Sequence, residues 1–210
     1  MTVHLKDRAG AALHFALGAR QPFVVGVATT DDVVTTLRRA VHADLVRRAA
    51  ERHHAVVAVV AVGRVSPEIA SMLPTYNCRP FGEGEPDVVV GVEVFPPYDA
   101  ATADLAADPL AVRLALLGHH DHAGAAGDEL ARWRAVVTSW SESPSKPMCA
   151  DYVGWCHDAI DDNLDTPRLL HLMREVETHP ELPPGSKFET FAHLDTLVGL
   201  DLARDVGLTR

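Results

Sequence analysis

The chain has 210 residues, 47% of them hydrophobic and 23% charged, and a formal net charge of -10 at pH 7. That length suits one large or two small domains, and the apolar fraction suffices for a buried core, which excludes a wholly disordered chain. The acidic balance disfavours a broad electrostatic footprint for nucleic acid or an anionic membrane and leaves room only for a local basic strip.

In chain order, Lys6, Asp7 and Arg8 are not followed by an apolar stretch of the kind a signal peptide needs. Residues 22–28 (PFVVGVA) form a Val-rich apolar run, expected as a buried strand of a parallel sheet. Thr29, Thr30, Asp31 and Asp32 follow it with helix-capping side chains. From Val33 to His53 the apolar residues Val34, Leu37, Val41, Leu45 and Ala49 recur every three or four positions, which predicts a helix. Its arginines, Arg38, Arg39, Arg47, Arg48 and Arg52, are expected on a solvated face rather than around a phosphate. Residues 55–63 (AVVAVVAVG) predict a second strand, and strand, helix and strand together make a right-handed βαβ unit. This run is the longest apolar one, well short of the ~20 residues that span a bilayer.

Ser66 caps a short helix with Pro67 in its first position. Residues 76–86 form a Gly/Pro loop, and residues 87–95 (DVVVGVEVF) predict a third strand, ended by Pro96 and Pro97. Thereafter the chain reads as helices over 105–120, 127–140, 147–160, 166–177 and 187–198, with a boundary near residues 98–108. The expected fold class is α/β: a small three-stranded parallel Rossmann-like βαβ half over residues 1–100, then an α-helical bundle over 101–210. Cys78, Cys149 and Cys156 are odd in number and lack CxxC spacing, so reduced thiols and a cytoplasmic setting are expected.

The run Asp108-Pro109-Leu110-Ala111-Val112-Arg113-Leu114-Ala115-Leu116-Leu117-Gly118-His119-His120 resembles the DP-x-AxRLALL-x-HH segment of the cysteine ligase family. That family joins the cysteinyl-tRNA synthetases with the mycothiol-pathway cysteine ligases, and the run is nearer in pattern to the second. Leu130-Ala131-Arg132-Trp133-Arg134 resembles the family's L-x-RWR helix, and 161–167 (DDNLDTP) its DDDLxTP signature. The same residues also suit a bundle: Asp165 and Thr166 are natural caps and Pro167 fits a first helical turn. On that reading Thr166→Ala costs about 1 kcal/mol or less.

What the resemblance implies about chemistry lies mainly in departures from the family. Relatives place a zinc-binding Cys in the strand where Val25 stands, and an apolar side chain cannot coordinate a metal. Residues 32–37 (DVVTTL) replace the HIGH signature that touches ATP phosphates, although 43–48 (ADLVRR) still resembles the end of that helix. The KMSKS lysine is missing too: no lysine occurs between Lys6 and Lys146. The chain therefore looks shortened and motif-stripped, and neither zinc, other metal nor cofactor is expected.

Three clusters remain as candidates. His119, His120 and His122 surround Asp121 and could bind a divalent metal, but a helix C-terminus favouring imidazolium is the simpler reading; that reading extends to His53 and His54. Cys149, Cys156 and His157 share one helix, where buried structural thiols are the simpler reading. Cys78, in the loop, is expected to be the exposed thiol. Two functions follow. The first is a non-catalytic relative of the cysteine ligases, acting as a binding, scaffold or partner subunit. It would pair as a homodimer or with another protein through its α/β half and could take a small amino-acid-like ligand. The second is a repurposed enzyme on an amino-acyl or thiol substrate that does not form its own adenylate, with His119, His120, His122 and Cys78 as its candidate groups.

Overall fold

The computed structural model describes residues 2–6, 12–16, 23–90, 108–118 and 123–208. Two compact units emerge, one of residues 1–103 with 161–164, the other of residues 104–160 with 165–210.

The first unit carries β1 (Thr2–Lys6), β2 (Ala12–Ala16), β3 (Phe23–Ala28), α1 (Val33–Arg52), β4 (Val57–Val62), α2 (Pro67–Met72), a 3-10 turn (Leu73–Tyr76) and β5 (Val88–Val90). The sheet order is β2-β1-β5-β3-β4. Its centre is the expected parallel trio, with Val25 beside Val59 on β4 and Val88 on β5. Residues 91–95 of the expected third strand lie outside the described residues. The sheet extends beyond the expectation through β1 and β2, which pair antiparallel with His4 opposite His14, while Lys6 of β1 pairs antiparallel with Val89. The strict alternation Thr2-Val3-His4-Leu5-Lys6 was the available strand signal.

Val25 and Val27 are wholly buried, and α1 packs against β3 and β4 through Leu37, Val41 and Leu45. The loop after the 3-10 turn also lies on the sheet. A Cβ on Gly26 would stand 2.7 Å from the Val62 side chain and 2.8 Å from Pro86, so glycine is what lets Pro86 approach β3. Gly82 bridges Val60 in parallel fashion, and its N–H donates to the Val59 carbonyl at 2.8 Å. Thus β1 lies on the outer side of β5 and Gly82 lies along β4. The parallel trio is flanked on its β5 side by a further strand and touched on its β4 side by a single bridge. Among the described residues, β2 pairs only with β1.

The arginines of α1 depart from the solvated face expected of them. Arg47 and Asp44 are 4% and 2% exposed. Asp44 accepts from Arg47 Nη2 at 2.6 Å and from Arg48 Nε at 2.7 Å, while Glu51 accepts from Arg47 and Arg79. Periodicity placed these residues on the helix surface, and the first unit closes over that surface.

The second unit holds α3 (Pro109–Gly118), α4 (Ala123–Ser141), α5 (Ala150–Asp161), α6 (Thr166–Thr178) and α7 (Pro184–Val198). Its core is built on Trp133, Phe191, Leu114, Leu117, Leu130 and Met173, all 1% exposed or less, with the Trp133 and Phe191 rings edge to face at 5.7 Å. Asp165 caps α6 by accepting from the Arg168 N–H at 3.0 Å. Thr166 does something else: its buried hydroxyl donates to the Leu117 carbonyl near the end of α3, at 2.6 Å. The expected Thr166 cap is therefore corrected to a tie between two helices.

Candidate functional site

In an open parallel sheet, ligands favour the carboxyl ends of the strands where the strand order reverses. Here the chain passes from β3 through α1 to β4 on one side, then crosses to β5 on the other. The crevice between β3 and β5 is thus the reversal point. It opens beside residues 28–32 and the amino end of α1.

That amino end would draw an anion through its unsatisfied N–H groups and dipole. The chain places a carboxylate there instead. Asp32 Oδ2 accepts from the Thr35 N–H at 3.0 Å and also from the Thr35 hydroxyl. Those bonds, the hydroxyl's first, hold the Asp32 carboxyl below the usual carboxylate range, so it is charged at neutral pH. Exposed Asp31 adds a second negative charge. The neighbouring backbone is also engaged: the Thr30 N–H donates to the Thr36 hydroxyl at 3.0 Å, and Arg39 Nη1 to the Ala28 carbonyl at 2.7 Å. At the end of β4, Gly63 has φ of +118°, and a Cβ there would meet the Thr29 hydroxyl at 2.5 Å. The described side chains beside this end of the sheet are thus threonine hydroxyls, the Asp31 and Asp32 carboxylates and the Arg39 guanidinium.

Val25, in the position where the resemblance implies a zinc-binding Cys, is 0% exposed within β3. Among the described residues no three His, Cys, Asp or Glu side chains are gathered to hold a metal ion. His119, His120 and His122 lie outside the described residues. Cys78 is 6% exposed, with its Sγ 3.7 Å from the Tyr76 carbonyl oxygen. The exposed thiol expected there is corrected to a buried one. The 3-10 turn, closed by the bond from the Cys78 N–H to the Leu73 carbonyl at 2.9 Å, folds its side chain inward.

Cys156 is wholly buried, and that burial pushes its thiol up to about 12, far from a reactive thiolate. Cys149 is half-buried. His53, at the end of α1, has its Nε2 2.9 Å from Asp161 Oδ1, an oxygen that also accepts from Arg52. Burial pushes the Asp161 carboxyl up, but these two partners outweigh it and leave it below its ordinary value.

The motif residues of the second unit are explained by helix ends. Arg113 is 0% exposed, and its Nε donates to the Val198 carbonyl at 2.7 Å. Arg134 donates to the Leu200 carbonyl at 3.1 Å and to Asp108 at 2.9 Å, while Asp108 also accepts from the Leu110 N–H at 2.9 Å. Two arginines thus satisfy carbonyls left open where α7 ends. Trp133 Nε1 donates to Glu177 at 2.9 Å, and Arg174 grips Glu129 through Nε and Nη2 at 2.6 and 2.8 Å. Arg113, Trp133 and Arg134 are buried in the bundle and exposed Asp108 pairs with Arg134, and sequence reasoning could name them without seeing what they bind.

The chain is 34% identical over 105 residues to the L-cysteine:1D-myo-inositol 2-amino-2-deoxy-alpha-D-glucopyranoside ligase of Acidothermus cellulolyticus, a match covering 46% of this chain and 25% of that ligase. The matched stretch therefore spans about a quarter of the length of that curated relative. No family model matches the chain, and no solved structure matches it. Over the matched stretch, the chain is a partial homologue of a cysteine ligase.

Proposed function

We propose that the chain is a non-catalytic relative of the cysteine ligases that serves as a binding or scaffold subunit. The observation that carries this reading is the amino end of α1, where Asp32 occupies the position that would hold an anion. A polyphosphate brought there would face two carboxylates and no lysine at the sheet's reversal point, while the guanidinium of Arg39 is engaged by the Ala28 carbonyl and the charge of Arg38 already acts on Asp32. Val25 supplies no ligand for a thiolate-binding zinc in β3. The exposed carboxylates of Asp31 and Asp32 and the Thr30 hydroxyl beside them would suit the ammonium group of an amino-acid-like ligand. The burial of Cys78 removes the thiol on which a repurposed catalytic reading relied.

The test is ATP–pyrophosphate exchange with cysteine, using an active cysteine ligase as the positive control. We expect exchange at background. Exchange above background that is lost on substituting Thr30 or Asp32 in a folded variant would overturn the reading.

A further inference from the structure

We propose that His157 and His193 form a two-imidazole site for a divalent transition-metal ion in the helical unit. His157 lies on α5 and His193 on α7, and their Nε2 atoms face each other at 3.1 Å. Both residues are half-buried, their ring centroids are 5.2 Å apart, and the planes are tilted by 57°. The two ring nitrogens stand at hydrogen-bond distance, where a cation could take the place of the shared proton.

The distance fits a cation. Two imidazole nitrogens each ~2.0–2.1 Å from one ion stand ~2.9 Å apart at a right angle and ~3.3 Å at the tetrahedral angle, and the observed 3.1 Å lies between. The two helices belong to one unit, and the segment leading into α5 is tied to α7, where the Cys149 N–H donates to Thr190 Oγ1 at 3.0 Å and the Ser145 hydroxyl to Glu189 at 2.7 Å. The ring nitrogens already stand 3.1 Å apart without an ion, which reduces the ordering cost of binding.

Imidazole selects zinc, nickel or copper over magnesium or calcium, which prefer oxygen donors. With two protein ligands, the remaining positions fall to water or an exogenous donor, so the ion exchanges readily. This site is separate from the crevice beside β3, and its fate does not depend on the function proposed above.

The experiment uses the full chain, stripped with a chelator and desalted, then titrated calorimetrically with Zn(II) at neutral pH, with Mg(II) as control. We expect one equivalent of Zn(II) to bind and no heat from Mg(II). Loss of a direct ligand should cost at least what loss of an outer-shell partner does, roughly tenfold or more in affinity, in both His157→Gln and His193→Gln. The combined variant His119→Gln, His120→Gln, His122→Gln should keep the binding, which separates this site from the other histidine cluster. Circular dichroism without metal checks that each variant is folded. X-ray absorption on the zinc-loaded combined variant, expected to show two imidazoles, tests the site with both ligands in place. Absence of binding by the parent chain, binding retained in both single variants, or binding lost only in the combined variant would each overturn the proposal.

Discussion

Thr166 and His42 are buried polar residues whose chemistry bears directly on stability. The Thr166 hydroxyl satisfies the Leu117 carbonyl, 49 residues away, inside the helical unit. Thr166→Ala leaves that buried acceptor unsatisfied and should cost about 1–3 kcal/mol, more than the loss of an exposed cap, whereas Thr166→Ser keeps the hydroxyl and should cost only the lost buried methyl, about 1 kcal/mol. Urea denaturation of the three proteins measures the difference. His42, 2% exposed on α1, has its pKa lowered from 6.5 to about 4 by burial. The unfolded chain therefore takes up a proton at this position at a higher pH than the folded one. Stability is full above the unfolded value and falls as pH drops toward the folded value, by about 3 kcal/mol in all between pH 6.5 and 4. His42→Gln should flatten the stability profile across that window. An unchanged slope would show that His42 is not the group responsible.

At the scale of the element, α1 owes its interior charges to one carboxylate. Asp44 accepts from both Arg47 and Arg48, and both Asp44 and Arg47 are buried. Breaking a buried pair by removing one partner strands the other, while exchanging both for apolar residues is often close to neutral. Arg47 keeps Glu51 as a partner, so Asp44→Asn should cost about 3 kcal/mol, near the low end for a broken buried pair. The double change Asp44→Leu, Arg47→Leu should recover much of that loss. Chemical denaturation of the single and double variants tests the ordering, and a double variant less stable than Asp44→Asn would refute it.

For the whole molecule, we propose that the self-association expected of the α/β half runs through the sheet's outer strand. With β1 placed beside β5 and Gly82 along β4, β2 is the strand with one partner among the described residues. An exposed strand edge is a template for pairing, and two copies meeting edge to edge satisfy each other symmetrically. Sedimentation at micromolar concentration should therefore report a dimer. A monomer at every concentration would defeat this argument and leave the binding function to a different surface.

The positions of β3, β4, β5 and the helices were legible in the sequence because their signals are local. Val-rich runs, a three-to-four residue apolar repeat and capping residues such as Asp32, Ser66 and Asp165 all act within a few positions. The departures at Val25 and across residues 32–37 from the pattern that the resemblance implies were equally visible, since comparing residue types requires no knowledge of the fold. Tertiary structure decided the rest. Which carbonyl Arg113 reaches, 85 residues along the chain, where Cys78 points, what neutralises Arg47 and which imidazole faces His157 all depend on elements brought together from distant stretches. A buried polar side chain must find a partner, and that need could be read from the sequence; which partner it finds is fixed only when the helices and strands pack.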